Sequence, residues 1–124
     1  MSTVLIVEDN EKNMKLARDV LQAKGYAVLE AVTGEDGVRL AKERKPDLVL
    51  MDIQLPGING MEALRQIRAE PALAGLPVVA FTASVTPTDR SQIQAAGFDG
   101  FLSKPINLKE FLETVKAQLQ KAGA

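Results

Sequence analysis

Three stretches of the chain are unbroken apolar runs: Val4-Leu5-Ile6-Val7, Leu48-Val49-Leu50-Met51 and Pro77-Val78-Val79-Ala80-Phe81. A strand wetted on one face alternates apolar with polar residues. A strand covered on both faces does not, so these runs predict the central strands of a parallel sheet. Two shorter stretches are interrupted by polar positions. Ala27 to Ala31 carries Glu30, and Phe98 to Leu102 is broken by Asp99 and Gly100, which predicts strands at the two edges. Between the strands the apolar spacing lengthens to that of amphipathic helices. From about Glu11, Met14, Ala17 and Leu21 share a face, with Leu16 and Val20 beside them. The second helix buries Val38 and Ala41, and the third sets Met61, Leu64 and Ile67 inward. A helix near Thr88 to Ala96 has Ile93 as its only large apolar residue. The last carries Leu108, Phe111, Leu112, Val115 and Leu119 as a stripe.

The boundaries have chemical causes. Asn10 can cap the first helix, and Gly25 suits its end. Thr33 with Asp36, and Asn107 with Glu110, have the spacing of a capping box. Pro46 and Pro71 stop the second and third helices, since the residue before proline avoids helical geometry. Asn59-Gly60 reads as loop, and Gly97 closes the fourth helix. Five strands alternating with five helices imply a parallel sheet with right-handed crossovers and helices on both faces. Three central and two edge strands are satisfied by the order 2-1-3-4-5, a flavodoxin-like (βα)5 doubly wound architecture. Residues 1–124 are expected to form one domain, with no linker, repeat or second domain.

Composition narrows the chemistry. With 46% apolar and 25% charged residues and a net charge of −1, the chain reads as a soluble globular protein. It does not read as a general nucleic-acid or membrane-surface binder. No apolar run approaches the length of a membrane span, and, with a strand pattern beginning at once, no signal peptide is expected. The absence of Cys removes disulfides and thiolate chemistry and is compatible with the cytoplasm. The absence of His removes a histidine base and most zinc or copper sites. What remains is carboxylates, Lys, Ser, Thr and a hard cation.

Those groups fall in one place. In open α/β sheets ligands bind at the carboxyl ends of the strands. Glu8 and Asp9 follow the first strand, Asp52 ends the third, Thr82 the fourth, and Lys104 follows the fifth. Taken singly, each has an ordinary reading: helix-start charge, strand cap or surface lysine. Taken together they converge on one rim. Three gathered carboxylates repel unless a cation intervenes, and oxygen ligands suit a hard divalent ion, most plausibly Mg2+. Such a set suits phosphoryl transfer, in which positioning and neutralised charge matter more than acid–base machinery. A carboxylate can itself take the phosphoryl group.

These residues resemble the receiver domain of two-component response regulators along the whole chain. The resemblance is carried by Val4-Leu5-Ile6-Val7-Glu8-Asp9-Asn10, Met51-Asp52-Ile53-Gln54-Leu55-Pro56-Gly57, Thr82-Ala83 and Ser103-Lys104-Pro105. Within the family the chain is most similar to stand-alone cell-division regulators of the DivK type, on Asn13-Met14-Lys15-Leu16 and Met51 to Pro56. The resemblance implies that Asp52 is the phosphoacceptor. Asp9 would ligate Mg2+ directly, Glu8 through water, and Gln54 by its carbonyl beside Asp52, with Mn2+ as an alternative ion. Lys104 would bind the phosphoryl group, with a cis bond to Pro105. Thr82 and Phe101 would form the switch, and Gln54 and Ser84 would tune phosphate lifetime.

The implied partners are a sensor histidine kinase or histidine phosphotransfer protein. A downstream protein would dock on the face of the fourth helix, fifth strand and fifth helix. The chain would be a cytoplasmic monomer or weak dimer without an output domain, bind neither DNA nor membrane, and be no enzyme beyond its own phosphorylation and dephosphorylation. The competing readings are a receiver-like module that binds partners without phosphorylation, a flavin- or nucleotide-binding domain, and an Asp-nucleophile phosphatase. The acidic Glu8-Asp9-Asn10-Glu11 turn would repel a nucleotide phosphate, one Tyr and no Trp provide little for flavin stacking, and a phosphatase would want a carboxylate where Gln54 stands.

Overall fold

A computed structural model describes residues 2–82, 87–104 and 107–123. The elements run β1 (Thr3–Val7), α1 (Glu11–Ala23), β2 (Ala27–Ala31), α2 (Gly34–Arg44), β3 (Leu48–Asp52), α3 (Gly60–Ala69), a 3-10 turn (Pro71–Leu73), β4 (Val78–Thr82), α4 (Pro87–Ala96), β5 (Gly100–Ser103) and α5 (Leu108–Gly123). The five strands are parallel and lie in the order β2-β1-β3-β4-β5. β3 and β4 are buried along their whole length, as their continuous apolar runs require, whereas edge strand β2 leaves Glu30 exposed. The register places Asp52 opposite Phe81 and Thr82 opposite Ser103, so these side chains reach one end of the sheet together.

Successive side chains of a strand point to opposite faces, and two cores result. On one face Leu5, Val7, Val49, Met51, Val78 and Ala80 meet Val38 and Ala41 of α2, Ala63, Leu64 and Ile67 of α3, and Ile93 of α4. On the other, Val4, Ile6, Leu48, Leu50, Val79 and Phe81 meet Met14, Ala17 and Leu21 of α1 with Phe111 and Val115 of α5. Each fully buried large aliphatic side chain contributes roughly 1.5–3 kcal/mol, so the doubly covered strands dominate the stability. Met61, expected inward, is only partly buried at the edge of the first core.

The caps form as their spacing predicts. Asn10 Oδ1 accepts from Lys12 N and Asn13 N, Thr33 Oγ1 from Asp36 N, and Asn107 Oδ1 from Glu110 N. Gly25 adopts a positive φ of 88° just beyond α1. Three expectations need correction. Leu16 is 42% exposed and Leu108 51% exposed, so neither belongs to a buried stripe. Leu16 precedes buried Ala17 by one residue, about 100° around the helix. Leu108 stands in the first turn of α5, ahead of Phe111, the first buried residue of that helix. The fifth strand starts at Gly100 and not at Phe98. The Asp99 carboxylate takes the Val78 N–H at 2.8 Å, in place of a strand carbonyl, and Phe98 packs into the first core.

Asn59, read as loop, caps α3 by accepting from Glu62 N at 2.9 Å. Gly60 then brings α3 hard against the end of β3. A Cβ there would stand 2.3 Å from the Asp52 carbonyl oxygen. The backbone just beyond Asp52 is thus pinned by the start of α3, with Gly60 N donating to Ile53 O at 2.9 Å.

Candidate functional site

β1 and β3 end side by side in the middle of the sheet. Glu8 extends the ladder of β1 by donating its N–H to Ala31 O at 2.9 Å, which turns its side chain under the rim, where it is 1% exposed. Asp52, 4% exposed, accepts the Gln54 N–H on Oδ1 at 3.0 Å. Lys104 follows β5, and its N–H donates to Thr82 O at 2.9 Å, which keeps the chain alongside β4. Its side chain folds back across β4, bringing Nζ to 3.0 Å from Asp52 Oδ2 and 2.5 Å from Glu8 Oε1. Asp9 lies exposed at the mouth, and one carboxylate oxygen from each of Glu8, Asp9 and Asp52 lies within 4.8 Å of the others.

Of the residues singled out from sequence, Glu8, Asp52 and Lys104 therefore meet directly, and Asp9 stands within 4.8 Å of the two carboxylates. Gln54 reaches Asp52 through its N–H, while its side chain is exposed. Thr82 is buried at the end of β4 beside them. Phe101 stands apart: it is half-buried against the first core, with the Arg90 guanidinium 5.2 Å from its ring centroid. Ser84 and Pro105, and with Pro105 the cis bond expected after Lys104, lie outside the described residues. Sequence reading missed Phe81, which passed as one more strand residue. Its ring lies under the Lys104 ammonium, with Nζ 5.1 Å from the centroid.

Burial, then the neighbouring Asp52 carboxyl, push the Glu8 carboxyl up to about 7, against the pull of Lys104 and the Asn10 N–H. Burial draws the Lys104 ammonium down, but the Glu8 and Asp52 carboxylates outweigh it and hold it above the ordinary lysine value. Despite its contact with Lys104, Glu8 Oε1 has no aligned hydrogen-bond donor among the described residues, so a buried oxygen has lone-pair capacity to spare there. Three carboxylates against one ammonium leave an excess of negative charge that one divalent cation balances. An all-oxygen donor set with a buried unsatisfied oxygen fits Mg2+, or equally Mn2+.

The fold and the site together define an α/β protein whose doubly wound parallel sheet gathers acidic groups and a lysine at its central strand ends. The chain belongs to the response regulator receiver domain family, whose model matches residues 4–116. It is 42% identical over 120 residues to the polar-differentiation response regulator DivK of Brucella anthropi, covering 97% of this chain and 98% of that one. Among solved structures, the receiver domain of a sensor histidine kinase from Pseudomonas aeruginosa superposes with a TM-score of 0.90 at 32% identity, covering 96% of this chain and 98% of that one. That protein has a magnesium ion coordinated in its active-site cleft. A CheY-like receiver domain protein from Methanospirillum hungatei gives a TM-score of 0.88 at 27% identity, covering 99% and 97%. No helix among the described residues is long and apolar enough to cross a membrane.

Proposed function

We propose that this chain is a phosphorylation-operated response regulator of a phosphorelay, with Asp52 as the phosphoacceptor. One observation carries the reading: Asp52 is a nearly buried carboxylate that shares one ammonium with Glu8 and sits within reach of Asp9. Glu8, Asp9, Asp52 and the Gln54 carbonyl would hold Mg2+. When bound, the ion supplies positive charge to neutralise phosphoryl oxygens and the crowded carboxylates. An Asp52 carboxylate oxygen attacks the phosphorus of a partner phosphohistidine. The new P–O bond forms as the P–N bond breaks, and the histidine leaves with the electron pair. Lys104 turns its ammonium from the carboxylates to a phosphoryl oxygen, a charge-assisted contact of the stronger kind. Thr82, at the adjoining strand end, supplies a hydroxyl to another.

The reaction is self-catalysed phosphorylation and dephosphorylation of one residue, and the protein is otherwise no enzyme. Its donor is a sensor histidine kinase or histidine phosphotransfer protein in the cytoplasm. The added charge biases a two-state surface through Thr82 and Phe101, read by a protein partner on the α4, β5 and α5 face. Gln54 and Ser84 would set the lifetime of the phosphorylated form. The test is uptake from acetyl phosphate with Mg2+. The parent protein gains one phosphoryl group by intact mass, and Asp52→Asn gains none. Undiminished uptake by Asp52→Asn would overturn the assignment.

A further inference from the structure

Among the described residues the Lys104 ammonium meets Glu8 at 2.5 Å, Asp52 at 3.0 Å and the face of the Phe81 ring at 5.1 Å. The first two are carboxylates that phosphoryl transfer would claim for other work. The third cannot be claimed. A cation over an aromatic face is attracted by the ring's quadrupole, and the attraction grows when both are shielded from water. Phe81 is 1% exposed and the Lys104 side chain 13%.

The ring is itself held. It is paired in register with Asp52, lies in the core between the sheet and α5, and packs against Phe111 with centroids 6.4 Å apart at 35°. A Val or Leu at this position would still be apolar, but would fill less of the space beside Phe111 and offer the ammonium no negative face.

We infer that Phe81 is a positioning residue for Lys104: its ring face is the fixed seat on which the ammonium turns from the carboxylates toward the incoming phosphoryl group. The inference rests on the assignment of Asp52 as phosphoacceptor. While Glu8 and Asp52 hold the ammonium, the ring is a minor partner. Once those carboxylates serve other ligands, the ring keeps the ammonium from swinging out to solvent, and a pre-placed cation is what the developing phosphoryl charge requires.

Fluorination tests this, because it drains the ring's negative face while leaving its shape and apolar character nearly unchanged. Full-length protein carrying mono-, di- or trifluorophenylalanine at position 81 is compared with the parent and with Phe81→Leu. Two quantities are read: the ring-current shift of the Lys104 side-chain protons, and the rate of phosphorylation by acetyl phosphate with Mg2+. The rate is expected to fall stepwise with fluorine number, by about two- to fivefold at the end of the series, with the unfolding midpoint held. Phe81→Leu is expected to lose the upfield shift of the Lys104 protons.

A rate independent of fluorine number overturns the inference even if Phe81→Leu is impaired, since that variant can fail by packing alone. Lys104 protons without a ring-current shift in the parent overturn it on geometry, whatever the rates. A parent that takes up no phosphoryl group overturns the Asp52 assignment itself, which the Asp52→Asn comparison records separately.

Discussion

Burial and a neighbouring carboxyl hold Glu8 up at about 7, against an ordinary value of 4.5. The sign of the consequence follows directly. Between those values the folded, metal-free protein binds more protons than the unfolded chain, so its stability is greatest at the acid end and declines as pH rises toward 7. A cation requires Glu8 ionised, so its binding releases a proton. Mg2+ affinity is therefore expected to rise with pH through about 7 and to level off above it, measured by titration calorimetry in buffers of different ionisation heat. Glu8→Gln should flatten that rise and weaken binding at high pH. An equally steep profile in Glu8→Gln would place the titrating group elsewhere. Asp52 and Lys104 could be picked from sequence because both fall at the carboxyl ends of strands, on the one rim where such sheets bind ligands. Phe81 could not, because an aromatic in a buried strand looks the same whether or not a cation rests on it.

At the scale of elements, the caps and breakers did most of the work. Asn10, Thr33 and Asn107 each accept the backbone N–H that their spacing predicts. Asn59 does the same for α3 yet reads as loop, since Asn-Gly is also a turn signal. Helix α4 differs from the rest. Ile93 is its buried large apolar residue, whereas α5 buries Phe111 and Val115. Little apolar area then opposes its local opening. Amides in the described part of α4 are expected to exchange with solvent faster than those in the middle of α5, by about tenfold or more, in native-state hydrogen exchange. Equal protection would show that α4 opens no more readily than α5.

Across the whole molecule the two ends of the sheet have different tasks. The carboxyl ends of β1, β3 and β4 hold Glu8, Asp52 and Thr82. At the opposite end Arg68 of α3 donates to Leu76 O at 2.5 Å and to Asp99 Oδ2 at 2.6 Å, and Asp99 accepts the Val78 N–H, tying α3 to the starts of β4 and β5. Arg68→Ala is expected to cost about 1–3 kcal/mol in denaturant unfolding, the range for breaking a part-buried charged hydrogen-bond set, while leaving Mg2+ affinity unchanged. A loss of Mg2+ affinity would show that the two ends are coupled.

The sequence by itself determined the alternation of strands and helices, which strands are central, and the rim on which the acidic groups and the lysine stand, because apolar period and strand polarity are local properties. Tertiary structure alone decided that Lys104 is shared between Glu8 and Asp52, that Phe81 lies beneath it and that Gly60 presses on the backbone of Asp52. Those are contacts between segments far apart in the chain, fixed by strand register and side-chain packing, and no local pattern encodes a distance across a sheet.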